Sequence, residues 1–162
     1  MTDRAGFADA EWELLVRLPR WVVTAASAAQ PDHALATAAE QEVGLVTVAQ
    51  GRASANALVA RLAAAATDGY DAAGADRPAG AAAGGTAGGP ATVAAVLDQA
   101  RAAAAVLAKA ALDDAAAYRQ WLLGIADAVI GAARSGGVLG IGADRVTESE
   151  RQFREELTQA LG

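Results

Sequence analysis

The chain has 162 residues, no cysteine and a formal net charge of −6 at pH 7. Without cysteine it has no disulfide, thiolate nucleophile or thiolate metal site, and an acidic surface repels phosphate backbones, which disfavours nucleic-acid binding. Alanine supplies 48 residues and aromatic residues only 4%, so we expect helices packed through Ala-lined faces and no sheet.

The first predicted helix runs from about Asp9 to Ala29, because apolar residues recur there at i, i+3 and i+4 spacing. Trp12 lies on the apolar stripe and is expected in the core. Trp21 lies beside that stripe, so we expect it to be partly exposed and a candidate contact residue. Ser27 falls on the opposite, polar face.

The second predicted helix begins at Thr37, where Thr37-Ala38-Ala39-Glu40 has the pattern of a capping box. Gly51 interrupts this helix, and Ser54 is expected to cap its continuation. Residues 1–67 therefore form an N-terminal helical half.

Between Asp68 and Ala91 the composition changes to seven Gly and two Pro in 24 residues, with Ala as most of the rest. Such a segment buries too little apolar surface to offset its ordering entropy. We predict a flexible linker over residues 68–91, followed by a C-terminal half over residues 92–162, with both halves in one folded domain.

Three further helices are predicted in the C-terminal half. Thr92 is expected to cap the first and Asp113 the second, which carries Trp121 on its buried face. A second capping box, Thr147 with Glu150, begins the last helix.

The two halves share a spacing. Trp12 precedes Thr37 by 25 residues, Trp121 precedes Thr147 by 26, and a glutamate follows each threonine three residues later. This pattern predicts an all-α bundle of five to six helices built from two similar helix–loop–helix halves. Chance similarity among Ala-rich helices is the alternative.

The apolar stretch Trp121–Ala143 contains Asp127 and Arg134, and the pair Gly136-Gly137 interrupts it. A charge near the bilayer centre is costly, and the uninterrupted run is too short to span, so we expect no membrane insertion. The residues Met1–Arg4 lack the apolar region of a signal peptide. Together with the absence of cysteine, this predicts a cytoplasmic protein.

A glycine-rich loop precedes the last helix. Its backbone amides could bind an anion, with Arg145 as counter-charge, although no strand precedes it as in phosphate-binding or dinucleotide-binding motifs. Two alternatives stay open, a purely structural turn with its apolar residues under the bundle and a partner-docking loop. The candidate residues are Gly137, Leu139, Gly140, Ile141, Gly142 and Arg145.

No catalytic or metal-binding constellation is predicted. His33 is the only histidine, and no serine stands in a nucleophile elbow. A di-iron bundle needs two Glu-x-x-His motifs, which the chain lacks. We therefore predict no catalytic residue, no metal ligand and no cofactor.

The segments 118–122, 136–142 and 146–150, with 7–19 near the start, resemble a family of small, uncharacterised bacterial all-helical proteins. The shared features are a Gly-Gly-x-Leu-Gly-Ile-Gly loop and a capped final helix, over about half the chain. The helix–loop–helix pairing is distantly similar to tellurite-resistance TerB-type domains. These resemblances imply an all-helical fold, no catalytic residues and, for the TerB similarity, a stress-related role.

Two functional hypotheses follow. The first is a non-enzymatic helical module that binds a protein partner or self-associates as a homo-oligomer. The second is a small-molecule or anion-binding protein that uses the loop over residues 136–145.

Overall fold

The computed structural model describes residues 4–29, 34–68, 90–135 and 147–162. Within these ranges there are six α-helices, two 3-10 turns and no strand, which confirms the predicted all-α bundle. The helices are α1 (Asp9–Ala28), α2 (Ala34–Gln50), α3 (Ala57–Asp68), α4 (Pro90–Leu107), α5 (Leu112–Ser135) and α6 (Glu148–Leu161).

The observed bounds of helix α1 agree with the predicted ones to within one residue. Its buried surface, however, extends around more of the helix than the apolar stripe predicted. Trp21 is 6% exposed and Ser27 is 2% exposed, so the predicted exposure of Trp21 and the polar-face position of Ser27 are wrong. The physical reason is that four helices, α2, α3, α4 and α5, pack against α1. A helix in that position buries side chains beyond a single stripe.

Helix α2 begins at Ala34, three residues before the predicted start. Alanine and leucine are strong helix formers, so Ala34, Leu35 and Ala36 extend the helix toward the N-terminus. Thr37 therefore lies inside α2, and the predicted capping box at Thr37 is wrong. Glu40 instead becomes a buried side chain, 2% exposed.

A 3-10 turn over Gly51–Ala53 separates α2 from α3. The cap of α3 is Asn56, whose Oδ1 accepts hydrogen bonds from the amides of Leu58 and Val59, both at 3.1 Å. Ser54 accepts a hydrogen bond from the Asn56 amide at 3.2 Å. The predicted cap at Ser54 is therefore wrong by two residues, because an asparagine stands closer to the helix and competes for the same role.

The starts of α4 and α5 also lie upstream of their predicted caps. Helix α4 begins at Pro90, so Thr92 lies inside it. Proline is well tolerated at the first helical position because its missing N–H would have no helical partner there. Helix α5 begins at Leu112, and Asp113 lies in its first turn, where a carboxylate interacts favourably with the helix dipole.

The predicted capping box of the last helix is confirmed. Thr147 Oγ1 accepts a hydrogen bond from the Glu150 amide at 3.2 Å, and the Thr147 amide donates to Glu150 Oε2 at 2.6 Å. Both bonds satisfy amides that the first turn of a helix leaves without helical partners. The sequence pattern therefore located the start of α6 correctly.

Close approaches between residues show how α2 and α5 run relative to each other. A β-carbon on Gly44 would meet Val129, and one on Gly51 would meet Trp121, so residue numbers rise along α2 as they fall along α5. Helix α2 is therefore antiparallel to α5. The Asp127–Arg154 ion pair, with Nε to Oδ1 at 2.6 Å, joins α5 to α6.

The buried side chains of both halves belong to one hydrophobic cluster. Tyr118 on α5 is fully buried, and its hydroxyl donates to the Leu15 carbonyl of α1 at 2.8 Å. Asn56 Nδ2 donates to Asp114 Oδ1 at 2.8 Å and adds a polar contact between the halves. Residues 69–89 of the predicted linker lie outside the described residues, so the linker stays a prediction.

Candidate interaction surface

Helix α2 exposes aliphatic side chains although it packs on several neighbours. Val43 is 39% exposed, Leu45 39% and Val46 51%. At 100° per residue, Val43 and Val46 lie on the same side of α2 as Thr47 and Gln50, whereas Leu45 lies on nearly the opposite side. The two valines therefore form one short apolar ridge, and Leu45 is separate from it.

A groove of about 370 Å³ runs beside this ridge, between α2 and α5. Its lining includes Thr47, Gln50, Ala117, Gln120, Trp121 and Gly124. The α5 residues among them recur at three- and four-residue intervals, so they share one edge of that helix. The two antiparallel helices thus form opposite walls of a shallow channel open to solvent.

Two glycines allow α2 and its neighbours to approach closely. A β-carbon on Gly44 would lie 2.6 Å from Val23 Cγ1 and 2.7 Å from Val129 Cγ2. A β-carbon on Gly51 would lie 2.6 Å from the Trp121 indole nitrogen. Because Gly51 leaves this space free, the indole packs over it and forms part of the groove. Burial there leaves Trp121 Nε1 with no hydrogen-bond partner among the described residues.

The α5 side of the groove rises little above the helix backbone, because several of its solvent-facing side chains are small. Gly124 is exposed, and a β-carbon there would meet nothing within 4 Å. Ala117 and Ala128 lie on the same edge and are partly exposed. A neighbouring helix could therefore approach the α5 backbone closely along this edge.

We call the ridge and the groove together the α2–α5 face. It consists of Val43, Val46, Thr47, Gln50, Ala117, Gln120, Trp121, Gly124 and Ala128. None of these side chains is ionisable. Carboxylates border the face, because the exposed Glu42 lies one turn from Val46 on α2 and the exposed Asp127 lies three residues from Gly124 on α5.

A buried polar cluster lies near the N-terminal ends of α2 and α6. Glu40 is 2% exposed and Glu150 is 1% exposed. Burial, and secondarily the charge of Glu150, raise the pKa of Glu40. Among the described residues, Glu40 Oε1 and the Ser27 hydroxyl have no hydrogen-bond partner.

A second groove of about 430 Å³ lies where α1 ends and α4 and α6 begin. Val93, Leu97 and Phe153 supply apolar lining, and Gln152 and Glu156 supply polar lining. Glu156 adds an ionisable side chain to this lining, whereas the residues that line the groove between α2 and α5 include none.

Among the predicted site residues, the structure describes only Trp21. Gly137, Leu139, Gly140, Ile141, Gly142 and Arg145 all lie outside the described residues, so the anion-binding loop stays a prediction. Trp21 is buried in the core and is not a surface contact.

In the described ranges no cluster of three or more His, Cys, Asp or Glu residues could hold a metal ion. No described helix is long and apolar enough to cross a membrane.

The sequence pattern does not reveal the α2–α5 face. Apolar residues occur on every side of α2, so periodicity does not separate a buried side from an exposed one. Gly44 and Gly51 carried a usable signal, because two glycines seven residues apart lie on one side of a helix and indicate close packing there. If the glycine side of α2 is buried, Val43 and Val46 lie away from the core and are expected to be exposed.

Comparison with known proteins found no family model that matches the chain, and neither a curated protein nor a solved structure matched it. The resemblance to TerB-type domains therefore stays a prediction.

Proposed function

We propose that this protein is a non-enzymatic helical interaction module whose contact surface is the α2–α5 face. The observation that carries the proposal is the exposure of Val43 and Val46 beside a neutral, open groove. Scattered exposed aliphatic residues are normal on a protein surface. Here, two lie on one helix edge against a channel with small side chains on its far wall, which supports recognition of a helix in a groove.

The proposal is supported by what the face offers chemically. It presents aliphatic groups, the two amides Gln50 and Gln120, and the edge of Trp121, a mixture typical of surfaces that exclude water at their centre and form hydrogen bonds at their rim. Val43 and Val46 are 39% and 51% exposed, so a partner that covers them gains part of the ~1.5–3 kcal/mol that full burial of a valine side chain contributes.

Site-specific photocrosslinking tests this function. Benzoylphenylalanine would replace Val46 in the full chain, and the labelled protein would be irradiated in an extract of the organism that makes it. We expect a discrete crosslinked product, identified by mass spectrometry as one protein species, which can be the chain itself.

Leu45 provides the matched control, because it is exposed on the same helix but points away from the groove. The same label at Leu45 should give no discrete product. If position 46 crosslinks no more specifically than position 45, the α2–α5 face is not an interaction surface. A cytoplasmic location, expected from the cysteine-free sequence, remains part of this proposal.

A further inference from the structure

We propose that the groove of about 430 Å³ where α1 ends and α4 and α6 begin binds a small organic cation with an apolar body, and that Glu156 is the counter-charge for that cation. We call it the α1–α4–α6 groove. It is a different surface from the α2–α5 face, so this inference goes beyond the proposed function and does not depend on it.

The floor of the α1–α4–α6 groove is apolar and well supported. Leu97 of α4 and Phe153 of α6 line the groove and belong to the hydrophobic core, with 5% and 2% exposure. Val93 and the last alanines of α1 add further apolar lining. Residues from three helices thus enclose a concave space whose volume lies within the roughly 300–1,000 Å³ of small-molecule sites. An apolar body of a few carbon atoms can leave water there.

One wall of this groove is polar, and it carries an oriented carboxylate. Ser149, Gln152 and Glu156 of α6 line the groove at three- and four-residue intervals, so they lie on one edge of that helix. Gln152 Nε2 donates a hydrogen bond to Glu156 Oε1 at 2.9 Å, which fixes the carboxylate beside the apolar floor. Within the described ranges Glu156 Oε2 has no hydrogen-bond or ion-pair partner. That oxygen is therefore available to accept from a ligand N–H.

The charges around the groove favour a cation over an anion. Among the described lining residues Glu156 is the only ionisable one. The last turn of α1 carries no basic residue, so its carbonyls leave a partial negative charge at the groove. The first turn of α6 is compensated by Glu148 and Glu150.

The first turn of α4 is the opposing contribution, because it has no acidic residue and presents the positive end of a helix dipole. That end is equivalent to roughly half a unit charge, which the full charge of Glu156 exceeds. The net charge of −6 on the whole chain also attracts cations. A ligand with one ammonium group on a compact apolar body matches both the floor and the wall.

Two-dimensional amide NMR of the full chain, titrated with three ligands of one shape, tests the inference. The probes are cyclohexylmethylammonium, cyclohexylmethanol and cyclohexanecarboxylate. We expect the ammonium to shift the amides of residues 93–97 and 149–156, where the groove lies, in a saturable manner. It should bind roughly three- to five-fold more tightly than the alcohol, the effect of one partly exposed ion pair, and the carboxylate should bind most weakly.

Glu156→Gln keeps the shape of the side chain and removes its charge. In this variant the ammonium should bind no more tightly than the alcohol, whose affinity should not change. Glu155→Gln is the matched control, because it removes the same charge from the next residue, which is exposed and does not line the groove. This control should preserve the preference for the ammonium.

Ala94→Trp tests the position of the site independently. Ala94 is exposed and lines the groove, so an indole there should fill the space without disturbing the core, and both the ammonium and the alcohol should lose binding. Ala102→Trp, at an exposed position of α4 outside the groove lining, should bind both as the parent does. Circular dichroism of the two variants checks that the fold is retained.

Four outcomes would overturn the inference. They are the absence of saturable shifts with any ligand, equal or tighter binding of the alcohol or the carboxylate, equal loss of the ammonium preference in Glu155→Gln and Glu156→Gln, and undiminished binding to folded Ala94→Trp. None of these results bears on photocrosslinking from Val46, so the interaction module would stand or fall separately.

Discussion

Glu40 is a carboxylic acid inside an alanine-rich bundle, and its surroundings favour the protonated form. Desolvation is the larger cause of its raised pKa, and the charge of Glu150 adds to it. Glu150 differs because it is held in the α6 capping box by the Thr147 amide. Two glutamates at matching positions of the predicted half-repeats therefore have different roles, one as a cap and one as a buried acid.

This difference makes stability depend on pH. Because the folded-state pKa of Glu40 is raised above its ordinary value of 4.5, the folded chain binds this proton more tightly than the unfolded chain. Below pH 4.5 Glu40 carries its proton in both states and has little effect. As pH rises from there through the raised pKa, the unfolded chain ionises first and the stability contributed by the protonated form is lost.

Glu40→Gln should remove this dependence. We expect the variant to be more stable than the parent at neutral pH, because Gln has no charged form to desolvate, and the difference to shrink as the pH falls below 4.5. Urea denaturation at several pH values measures it. Glu42→Gln removes the same charge from an exposed position and serves as the control. A stability gain that is the same at every pH, or equal in both variants, would contradict the assignment.

At the scale of single helices, the sequence predicted the presence of each helix better than its ends. The last helix was placed correctly because Thr147 and Glu150 form a local signal that no neighbouring residue contests. At Thr37 the same signal failed, since Ala34 and Leu35 extend the helix past it. At Ser54 the failure came from Asn56, an equally good capping residue two positions nearer to α3.

The α6 cap is therefore a direct test of local signals. Thr147→Ala removes the oxygen that accepts from the Glu150 amide and should lower the free energy of unfolding by about 1 kcal/mol. Thr158→Ala is the control, because Thr158 is exposed inside α6 and its hydroxyl donates only to the Arg154 carbonyl. Alanine is the better helix former there, so this change should be neutral or slightly stabilising. Chemical denaturation with unchanged slope compares the two, and equal destabilisation would show that the cap is not the cause.

For the whole molecule, composition was enough to predict an all-helical bundle, because an alanine-rich chain without β-branched runs has few alternatives. Which side chains are exposed could not be predicted from the sequence, for a physical reason. Whether Trp21 or Val46 faces solvent depends on how many helices surround α1 and α2, and that number follows from tertiary packing rather than from periodicity. Short, small side chains also make the two sides of an alanine-rich helix look alike in sequence.

The same packing predicts that the two halves unfold together. Helix α1 of the first half is joined to α5 of the second by the buried Tyr118–Leu15 hydrogen bond, and side chains from both halves share one core. Neither half can lose this contact without exposing apolar surface of the other, so we expect a single cooperative transition in urea.

Tryptophan variants can report on each half separately. In Trp121→Phe, fluorescence comes only from Trp12 and Trp21 on α1, and in Trp12→Phe/Trp21→Phe it comes only from Trp121 on α5. Each variant has its own stability, so its fluorescence transition should be compared with its own far-ultraviolet circular dichroism transition. We expect the two curves to coincide in both variants, because one shared core leaves no half to melt alone. A biphasic dichroism curve, with the α1 signal following one phase and the α5 signal the other, would mean that the halves are independent folding units and that the Tyr118–Leu15 contact couples them too weakly to matter.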